Sequence, residues 1–376
     1  MLVRRLRALG FRNLADAEVE LGEGVSLVWG ANAAGKTNLL EALYLSLAGR
    51  SPRTRNDREA IAFGRPLARV EADVLDRSTP GDAGDQRTFL CAVERSGDRR
   101  HHLDGHALGP DGHELRPSLS VFMPDRLVLV KGAPAARRAH LDRLCAALWP
   151  ARTEARRRYS RALAQRNALL GRVRAGHADA GALDAWDAEL AGAGVELIAI
   201  RAEAVGALGD PFVTAAAELG LEGSARIAYR PRSEAETVDA LAEELAERRE
   251  PDLARGFTTH GPHLDEVAIT RGDRALRRYG SQGEQRLALL ALLFAEREVL
   301  LAEGRPPPLM LLDDVTSELD QDRRRMLCER LVAGGGQALV TATEPGQLPP
   351  ECPRTELGMR EGGVIAPVAD TGAEAA

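Results

Sequence analysis

The stretch from Val25 to Leu40 constrains the fold of this 376-residue chain more than any other. An apolar run leads into the pattern Gly-x-x-x-x-Gly-Lys-Thr, and leucines at helical spacing follow it. A phosphate-binding loop requires this order of strand, loop and helix. Backbone N–H groups and the positive end of the helix then face one anion. The sequence therefore predicts an α/β core built around a nucleotide-binding P-loop.

Individual residues of this loop have distinct expected roles. We expect Lys36 to contact the β- and γ-phosphates, and the Thr37 hydroxyl to ligate Mg²⁺. Ala33 fits the loop if its φ is negative, whereas a positive φ would strain it. The residues predicted to bind the nucleotide are Gly30, Ala31, Asn32, Ala33, Ala34, Gly35, Lys36, Thr37 and Asn38.

A second apolar run, Leu309–Leu312, ends in two carboxylates, Asp313 and Asp314. Such a strand can place one carboxylate beside Mg²⁺ and the next near the attacking water. We assign Asp313 to the metal and Asp314 to polarising the water. A solvated acidic turn is the alternative, but the P-loop elsewhere in the chain favours the catalytic interpretation.

The segment after the last predicted core strand, Ala338 to Val340, should carry a residue that senses the γ-phosphate. Thr341 and Thr343 are the candidates there. We include Thr343 with Lys36, Asp313 and Asp314 among the predicted catalytic residues.

The residues Ser281, Gln282, Gly283 and Glu284 precede a strongly apolar helix. Ser281 and Glu284 fit a capping box. The same helix start could also hold a phosphate. Because Lys36 already serves the nucleotide of its own chain, a second anion site makes sense if it serves another copy. We therefore expect an ATP-dependent homodimer with two composite sites, with Ser317 and Asp320, at the spacing of a D-loop, near its interface.

Composition divides the chain into two kinds of region. Residues 1–130 and 256–376 are predicted to form one discontinuous ATPase domain. Within it, runs at 68–75, 87–94 and 99–108 should form an antiparallel sheet beside the nucleotide core. Residues 131–255 are rich in Ala, Leu, Arg and Glu and predict a helical lobe, interrupted at Gly171, Gly176, Gly181 and Pro211. The tail from Asp370 is expected to be disordered.

The positions of the cysteines and the lengths of the apolar runs indicate the cellular compartment in which the chain is expected to act. Cys91, Cys145, Cys328 and Cys352 are widely scattered, which favours reduced thiols in a cytoplasm over a disulfide framework or a zinc site. No apolar run approaches the roughly 18 residues of a membrane span, so no membrane association is expected.

The net charge of −6 means that any nucleic-acid site must be a local basic patch. Arginines and lysines of such a patch would contact phosphates without reading sequence. A solvated helix face is the alternative for any single arginine. Lys131 stands out because Lys36 is the only other lysine. The candidate residues of such a patch are Arg53, Arg55, Lys131, Arg137 and Arg138, and their assignment to DNA rests on the family resemblance that follows.

Together these residues resemble the RecF family, in the SMC branch of the ABC-type ATPases. The resemblance implies an ABC-type ATPase head, with a mixed sheet, an antiparallel β subdomain and an inserted helical lobe. It adds Arg12 and Asn13 to the nucleotide site, and it departs from the family where Ala33 replaces a usual Gly. The segments that carry it are Phe11-Arg12-Asn13, the P-loop and its helix, Ser51-Pro52-Arg53-Thr54, Leu141-Asp142, Gln165-Arg166-Asn167, Thr259 to His263, Ser281 to Arg286 and Leu311 to Asp320.

The resemblance also implies a function. Proteins of this kind are ATP-dependent, Mg²⁺-requiring recombination mediators that dimerise on ATP and clamp duplex or gapped DNA. They act in the cytoplasm at the nucleoid and help RecR and RecO to load RecA. Their weak DNA-dependent hydrolysis of ATP resets the clamp. Two alternatives remain: a transporter-type ABC ATPase subunit, which the long helical insert disfavours, and a non-hydrolysing DNA scaffold held together by ATP.

Overall fold

A computed structural model describes residues 1–54, 56–76, 84–109, 115–221 and 223–368. The strands are β1 (Leu2–Leu9), β2 (Ala17–Glu20), β3 (Val25–Trp29), β4 (Leu67–Asp76), β5 (Asp85–Glu94), β6 (Arg99–Leu103), β7 (His106–Ala107), β8 (Leu119–Phe122), β9 (Ala225–Arg230), β10 (Glu266–Arg271), β11 (Arg274–Ala275), β12 (Leu309–Leu312), β13 (Ala338–Ala342), β14 (Arg354–Arg360) and β15 (Gly363–Val368).

The helices are α1 (Lys36–Ala48), α2 (Val128–Lys131), α3 (Pro134–Leu148), α4 (Thr153–Arg174), α5 (Leu183–Glu218), α6 (Val238–Glu247), α7 (Arg249–Arg255), α8 (Leu276–Tyr279), α9 (Gln282–Ala302) and α10 (Gln321–Ala333). Within the described ranges, none of these helices has the length and apolarity needed to cross a membrane.

The chain forms two compact units. The first comprises Met1–Arg126, Glu218–Gly220 and Leu300–Ala376, and the second comprises Leu127–Ala217 and Leu221–Val299. Residues 256–299, which the sequence grouped with the ATPase domain, therefore lie in the second unit. The domain bounds at residues 130 and 256 stay a prediction.

The central sheet of the first unit has the order β15-β14-β3-β13-β12-β8. Strands β14, β3, β13, β12 and β8 are parallel, and β15 runs antiparallel to β14. All four residues of β12 are buried, as in a parallel strand covered on both faces. Parallel strands bring their carboxyl ends to one edge of the sheet. The P-loop after β3, the carboxylates after β12 and the threonines at the end of β13 therefore meet at that edge.

The second sheet of this unit is antiparallel, as predicted, with the order β2-β1-β4-β5-β6-β7. One prediction about it is wrong: the run 99–108 is not one strand. Asp104 (φ 51°) and Gly105 (φ 80°) form a turn there that folds β6 back onto β7. Helix α1 joins both sheets, because its buried Leu39, Leu43 and Leu47 belong to a core that includes residues of both.

The second unit is mainly helical, but two sequence predictions about it are wrong. Residues 225–230, expected to be helical, form β9 and pair with β10 in a small antiparallel sheet. Pro211 does not interrupt the lobe but lies inside the 36-residue α5. The buried side chains of Leu208, Phe212 and Ala215 continue across it. Burial of this apolar face outweighs the roughly 3 kcal/mol that an interior proline costs. Gly171 likewise lies within α4.

Two further corrections concern the C-terminal part of the first unit. The sequence treated β13 as the last core strand, yet β14 follows it and pairs with β3. Cys328 on α10 and Cys352 just before β14 form a disulfide, with 5.8 Å between their Cα atoms, so the expectation of four reduced thiols is wrong. A separation of 24 residues carries no recognisable spacing. The predicted disorder from Asp370 lies outside the described residues.

Candidate nucleotide-binding site

The P-loop of the first unit follows the predicted path from strand to helix. At Gly30 the loop approaches β14 closely, since a Cβ there would lie 2.3 Å from the carbonyl oxygen of Met359. Gly35 caps α1 in a left-handed conformation with φ 106°. Ala33 has φ 66°, so the strained alternative left open by the sequence is the one adopted.

The Lys36 side chain folds over this loop. Its Nζ donates to the carbonyl oxygens of Gly30 at 2.7 Å and Ala31 at 3.0 Å. Desolvation by burial lowers the pKa of Lys36, against the opposing influence of Asp314 and Asp313. The ammonium group is therefore held at the concave side of the loop, where an anion would gain most from it.

Asp313 is the centre of a compact oxygen cluster. The Thr37 Oγ1 donor lies 2.9 Å from both carboxylate oxygens, and Thr341 Oγ1 donates to Oδ1 at 2.8 Å. Burial raises the pKa of Asp313, and the Thr341 and Thr37 hydrogen bonds oppose this rise. The cluster contains Thr37 and Asp313, the two residues for which Mg²⁺ ligation stays a prediction.

These two ligands fit Mg²⁺ on chemical grounds. Magnesium prefers oxygen ligands, and it is usually held by one or two protein groups, with waters and substrate phosphates completing its shell. Within the described ranges, no group of three or more His, Cys, Asp or Glu residues could hold a metal by itself. Thr37 and Asp313 lie beside the P-loop, where the phosphates of a nucleotide could complete such a shell.

Asp314 adopts a left-handed conformation with φ 49°. Its Oδ1 atom is buried and has no hydrogen-bond partner among the described residues. A buried, unpaired carboxylate oxygen costs folding free energy, and such strain is concentrated at functional sites. The Asp314 N–H donates to Thr341 Oγ1 at 2.9 Å, so one threonine fixes both neighbouring aspartates.

The two candidate threonines differ in their contacts. Thr341 is fully buried and contacts Asp313, whereas the Thr343 hydroxyl accepts a hydrogen bond from Gln347 Nε2 at 2.8 Å. Gln347 Oε1 in turn accepts from the Thr343 N–H at 3.1 Å. Sequence reasoning missed Gln347, because a glutamine in a Pro-Gly-Gln turn carries no motif.

Glu41, one turn into α1 beyond the P-loop, was not singled out by the sequence, yet its side chain is completely buried. It accepts from Arg12 Nε and Nη2 at 2.9 and 2.7 Å, from Ser51 Oγ at 2.7 Å and from Arg53 Nη1 at 2.9 Å. Arg53 is thus committed to the P-loop helix, which argues against its predicted DNA contact. Arg55 lies outside the described residues.

The segment after Asp314 holds the predicted D-loop residues. Ser317 Oγ donates to the carbonyl oxygen of Asp314 at 2.9 Å. Asp320 caps α10 by accepting from the Arg323 N–H at 2.9 Å. Both side chains therefore have structural partners within the unit, and their place near a dimer interface stays a prediction.

The start of α9, in the second unit, contains the predicted capping box. Ser281 Oγ accepts from the Glu284 N–H at 3.2 Å, and Glu284 Oε2 accepts from the Ser281 N–H at 2.7 Å. The Ser281 backbone is the first cause of the lowered pKa of Glu284, and Arg271 also bonds this carboxylate. Ser281, Gln282 and Gly283 are exposed, so the helix start is accessible.

The predicted DNA-binding residues of the second unit separate into two kinds. Lys131 is exposed, and no hydrogen bond or ion pair ties it to the described part of the chain. Arg137 is buried, pairs with Glu266 and donates to the Gly132 carbonyl oxygen at 2.9 Å. This burial argues against a DNA contact by Arg137. Arg138 is half-buried and donates to the Asp265 carbonyl oxygen at 2.7 Å.

Other motif residues of the second unit form a buried polar network. Arg166 is fully buried and pairs with Asp187 at 2.6 Å and Asp252 at 2.7 Å. Arg201 binds Asp142 and reaches the Pro262 carbonyl oxygen at 2.6 Å. Arg166, Asp142 and Pro262, which belong to the Gln-Arg-Asn, Leu-Asp and Gly-Pro-His segments, thus have partners within the unit.

Comparisons with known proteins agree on one family. The chain matches the family model described as RecF/RecN/SMC N terminal domain over residues 2–352. It is 37% identical to the DNA replication and repair protein RecF of Anaeromyxobacter sp. (strain K), with 98% of this chain and 100% of the relative covered. The protein of the same name from Deinococcus radiodurans is 36% identical, with 97% and 95% covered.

Solved structures support the same assignment. The structure of the recombination mediator protein RecF-ATP in the RecFOR pathway superposes with a TM-score of 0.84, at 26% identity and 98% coverage of each chain. An Smc head bound to the C-winged helix domain of ScpA superposes at 0.60 with 17% identity, which shows the fold alone. The predicted fold class, an ABC-type ATPase head with a helical region, is confirmed. The chain belongs to the RecF family of DNA replication and repair proteins.

Proposed function

We propose that this chain is an ATP-dependent DNA-binding recombination mediator. The observation that carries the proposal is the convergence of Thr37, Asp313 and Thr341 at the P-loop edge of the first unit. A similar solved protein is named RecF-ATP, which supports ATP as the nucleotide. The family shown, one of replication and repair proteins, disfavours the transporter-type alternative.

The residues of the site divide the work of hydrolysis. A bound Mg²⁺ would neutralise developing charge on the phosphates, and Thr37 and Asp313 would hold it. Lys36 neutralises the β- and γ-phosphates, and the loop N–H groups surround them. Asp314, whose Oδ1 is buried and has no partner among the described residues, orients the attacking water or accepts a proton from it. Thr341 holds both aspartates in place.

The site in the first unit is proposed to be half of a complete one. Ser281, Gln282 and Gly283 are exposed at the start of α9, a 21-residue helix. The first N–H groups of a helix have no acceptor within the helix, and here Ser281 Oγ caps the N–H of Glu284. In an ATP-sandwiched homodimer, this helix start contacts the γ-phosphate held by Lys36 of the other copy. Hydrolysis separates the copies and resets the clamp.

The DNA and partner roles extend the proposal. The exposed Lys131 is the best-supported DNA contact, because phosphate binding needs an unpaired cation. We propose duplex or gapped DNA as the ligand, and RecR and RecO as partners in loading RecA. The name of the similar structure places that protein in a RecFOR pathway. The proposed location is the cytoplasm, at the nucleoid.

Sedimentation with a non-hydrolysable ATP analogue and Mg²⁺ tests the composite site. We expect the wild type to pass from monomer to dimer, and Ser281→Arg to bind the analogue but stay monomeric. Glu303→Arg, a charge change beyond the end of α9, is the matched control and should dimerise normally. A Ser281→Arg protein that dimerises like the control would refute the composite site.

A salt series of duplex and gapped DNA binding tests the clamp. We expect binding to need ATP and to weaken linearly on a logarithmic salt scale, with a slope about one unit smaller in Lys131→Gln. Binding of equal strength without ATP would refute the clamp.

A further inference from the structure

Ala33 is the residue of the P-loop whose conformation needs an explanation. Its φ of 66° lies in the left-handed region, where an alanine is strained and a glycine is not. The residue is exposed, so burial of its methyl group does not offset the strain. Some other interaction must hold residue 33 in this conformation.

A chain of side-chain amides reaches Ala33 from one side. Asn13 Nδ2 donates to the Ala33 carbonyl oxygen at 3.1 Å. Asn38 Nδ2 donates to Asn13 Oδ1 at 2.6 Å, and Arg53 Nη1 donates to Asn38 Oδ1 at 2.8 Å. All four residues lie in the first unit. We call Arg53, Asn38 and Asn13 the amide relay.

The direction of every hydrogen bond in the amide relay follows from Arg53. A guanidinium group has donors only, so Asn38 must present its oxygen to Arg53 and its NH₂ group to Asn13. Asn13 must then present its oxygen to Asn38, which leaves its NH₂ group for the Ala33 carbonyl. The amide orientations, which geometry alone leaves open in an isolated Asn, are thereby fixed.

Arg53 is itself fixed by a buried charge. Its Nη1 atom also donates to Glu41 Oε2 at 2.9 Å. Glu41 has no exposed surface, and Arg12 and Ser51 occupy its other lone pairs. A buried carboxylate cannot release such partners without a large desolvation cost. The amide relay therefore extends from an immobile anion to the strained loop residue.

We propose that the amide relay holds the P-loop in its nucleotide-binding conformation before the nucleotide arrives, with Arg53, Asn38 and Asn13 as positioning residues. This inference rests on the proposed nucleotide binding. Without the relay, residue 33 relaxes to a negative φ in the empty loop. Binding must then restore the strained conformation, so affinity falls.

The proposal explains why Ala33 can occupy a position that favours glycine. It also assigns a role to Arg53 that differs from DNA contact. The other side of the loop is held separately, because the Gly362 N–H donates to the Ala34 carbonyl oxygen at 3.0 Å. Loss of the relay is therefore expected to change the conformation of residue 33 and to leave the hydrogen bond between Gly362 and the Ala34 carbonyl oxygen intact.

A double-mutant cycle of Asn13→Ala and Ala33→Gly tests the coupling, with the affinity for a fluorescent ATP analogue as the readout. We expect Asn13→Ala to weaken binding roughly five- to thirtyfold when residue 33 is Ala, the size of one left-handed alanine. In the Ala33→Gly protein, a positive φ at residue 33 causes no strain, so Asn13→Ala should weaken the affinity for the analogue by less than about twofold. Equal losses in both backgrounds would show a direct contact with the nucleotide and overturn the proposal.

Two measurements without nucleotide keep this test separate from the proposed function. Ala33→Gly should raise the melting temperature, whereas Ala31→Gly, a matched change at an exposed loop residue outside the left-handed region, should not. Asn13→Ala should speed hydrogen exchange of the Ala34 amide, which donates to Ala31 in the same loop. If Ala33→Gly fails to stabilise, or the exchange rate is unchanged, the relay does not hold the loop. If both occur but no ATP analogue binds, the nucleotide function fails while the relay stands.

Discussion

The P-loop edge of the first unit and the Arg166 network of the second both consist of motif residues with many polar contacts. At the P-loop edge, polar atoms converge from three strand ends, and Asp314 Oδ1 is left buried without a described partner. In the second unit, Arg166 is enclosed by Asp187, Asp252 and Thr258, all within hydrogen-bond distance. The P-loop edge therefore has a buried oxygen that could bond a ligand, whereas the guanidinium of Arg166 is bonded by side chains of its own unit.

This difference separates function from stability where sequence motifs do not. Both regions carry segments of the family resemblance, Leu311 to Asp320 in the first and Gln165-Arg166-Asn167 in the second. The distinguishing feature is whether the polar groups are satisfied within the protein. Buried charges that are paired within the protein destabilise the fold when one partner is removed, whereas an unsatisfied buried polar group indicates a candidate ligand site.

The largest effect that would sharpen the comparison is expected from Arg166→Met. Removing the guanidinium leaves Asp187 and Asp252 buried without their partner, so the second unit should lose about 3–5 kcal/mol of stability. Urea unfolding monitored through hydrogen exchange of amides in α4 and α5 measures this loss of stability. Arg161→Met, at an exposed position of the same helix, is the control and should change stability by less than about 0.5 kcal/mol. Equal effects of the two changes would contradict a structural role for Arg166.

In contrast to Arg166→Met, Asp314→Asn should slow ATP hydrolysis without lowering the stability of the protein. Single-turnover ATP hydrolysis is expected to slow by roughly 10²–10⁴-fold, because the amide cannot take a proton from water. The unfolding curve should not move to lower urea, since Oδ1 has no hydrogen bond to lose. The matched control is Asp322→Asn on the exposed face of α10. A rate equal to that of the wild type would refute the assignment of Asp314, whereas no hydrolysis by the wild type itself would support the non-hydrolysing scaffold.

Thr341→Val tests whether one hydroxyl orients both aspartates. The change keeps the side-chain shape but removes a donor to Asp313 and the acceptor for the Asp314 N–H. We expect roughly tenfold slower hydrolysis, the cost of about one hydrogen bond in the transition state. Thr343→Val, whose hydroxyl bonds only Gln347 among the described residues, should slow the reaction less than Thr341→Val. A larger decrease in the hydrolysis rate for Thr343→Val than for Thr341→Val would instead support Thr343 as the residue that senses the γ-phosphate.

The smallest effect concerns the stability of the nucleotide-free protein. Burial raises the folded-state pKa of Asp313 above its usual value, so the ionised carboxylate opposes folding once the pH exceeds the unfolded-state pKa. Asp313→Asn should therefore stabilise the protein at pH 7, by about 0.5–2 kcal/mol, while abolishing Mg²⁺-dependent hydrolysis. The gain should shrink as the pH falls towards the usual pKa of an aspartate. Unfolding curves between pH 5 and pH 8 measure it, and a gain that grows at low pH would contradict this sign.

The sequence predicted three structural elements well because each of them is local. The P-loop, the Leu309–Leu312 strand with its aspartates and the Ser281 capping box all matched the structure, since spacing within about ten residues defines them. The conformation of Ala33 was left open, because the interaction that holds it comes from Asn13, 20 residues away.

The remaining misses have the same physical origin. Strand β9 pairs with β10 about 40 residues later, and β14 pairs with the distant β3, so neither is specified by its own sequence. Pro211 is tolerated because an apolar face continues on both sides of it. The DNA contact of Arg137 stays a prediction, and its ion pair with Glu266 on a remote strand could not be read from the sequence. Tertiary partners decided each of these outcomes.

The most direct test of the composite site is to mix two defective proteins, Lys36→Ala and Ser281→Arg. Each alone can form no complete site with itself. In a mixed dimer, the intact P-loop of the Ser281→Arg chain meets the intact Ser281 of the Lys36→Ala chain, so one complete site returns. We predict that ATP hydrolysis reappears on mixing, and that replacing Ser281→Arg by the Lys36→Ala/Ser281→Arg double variant abolishes it. A mixture no more active than the sum of its parts would contradict the claim that the P-loop is half of a shared site.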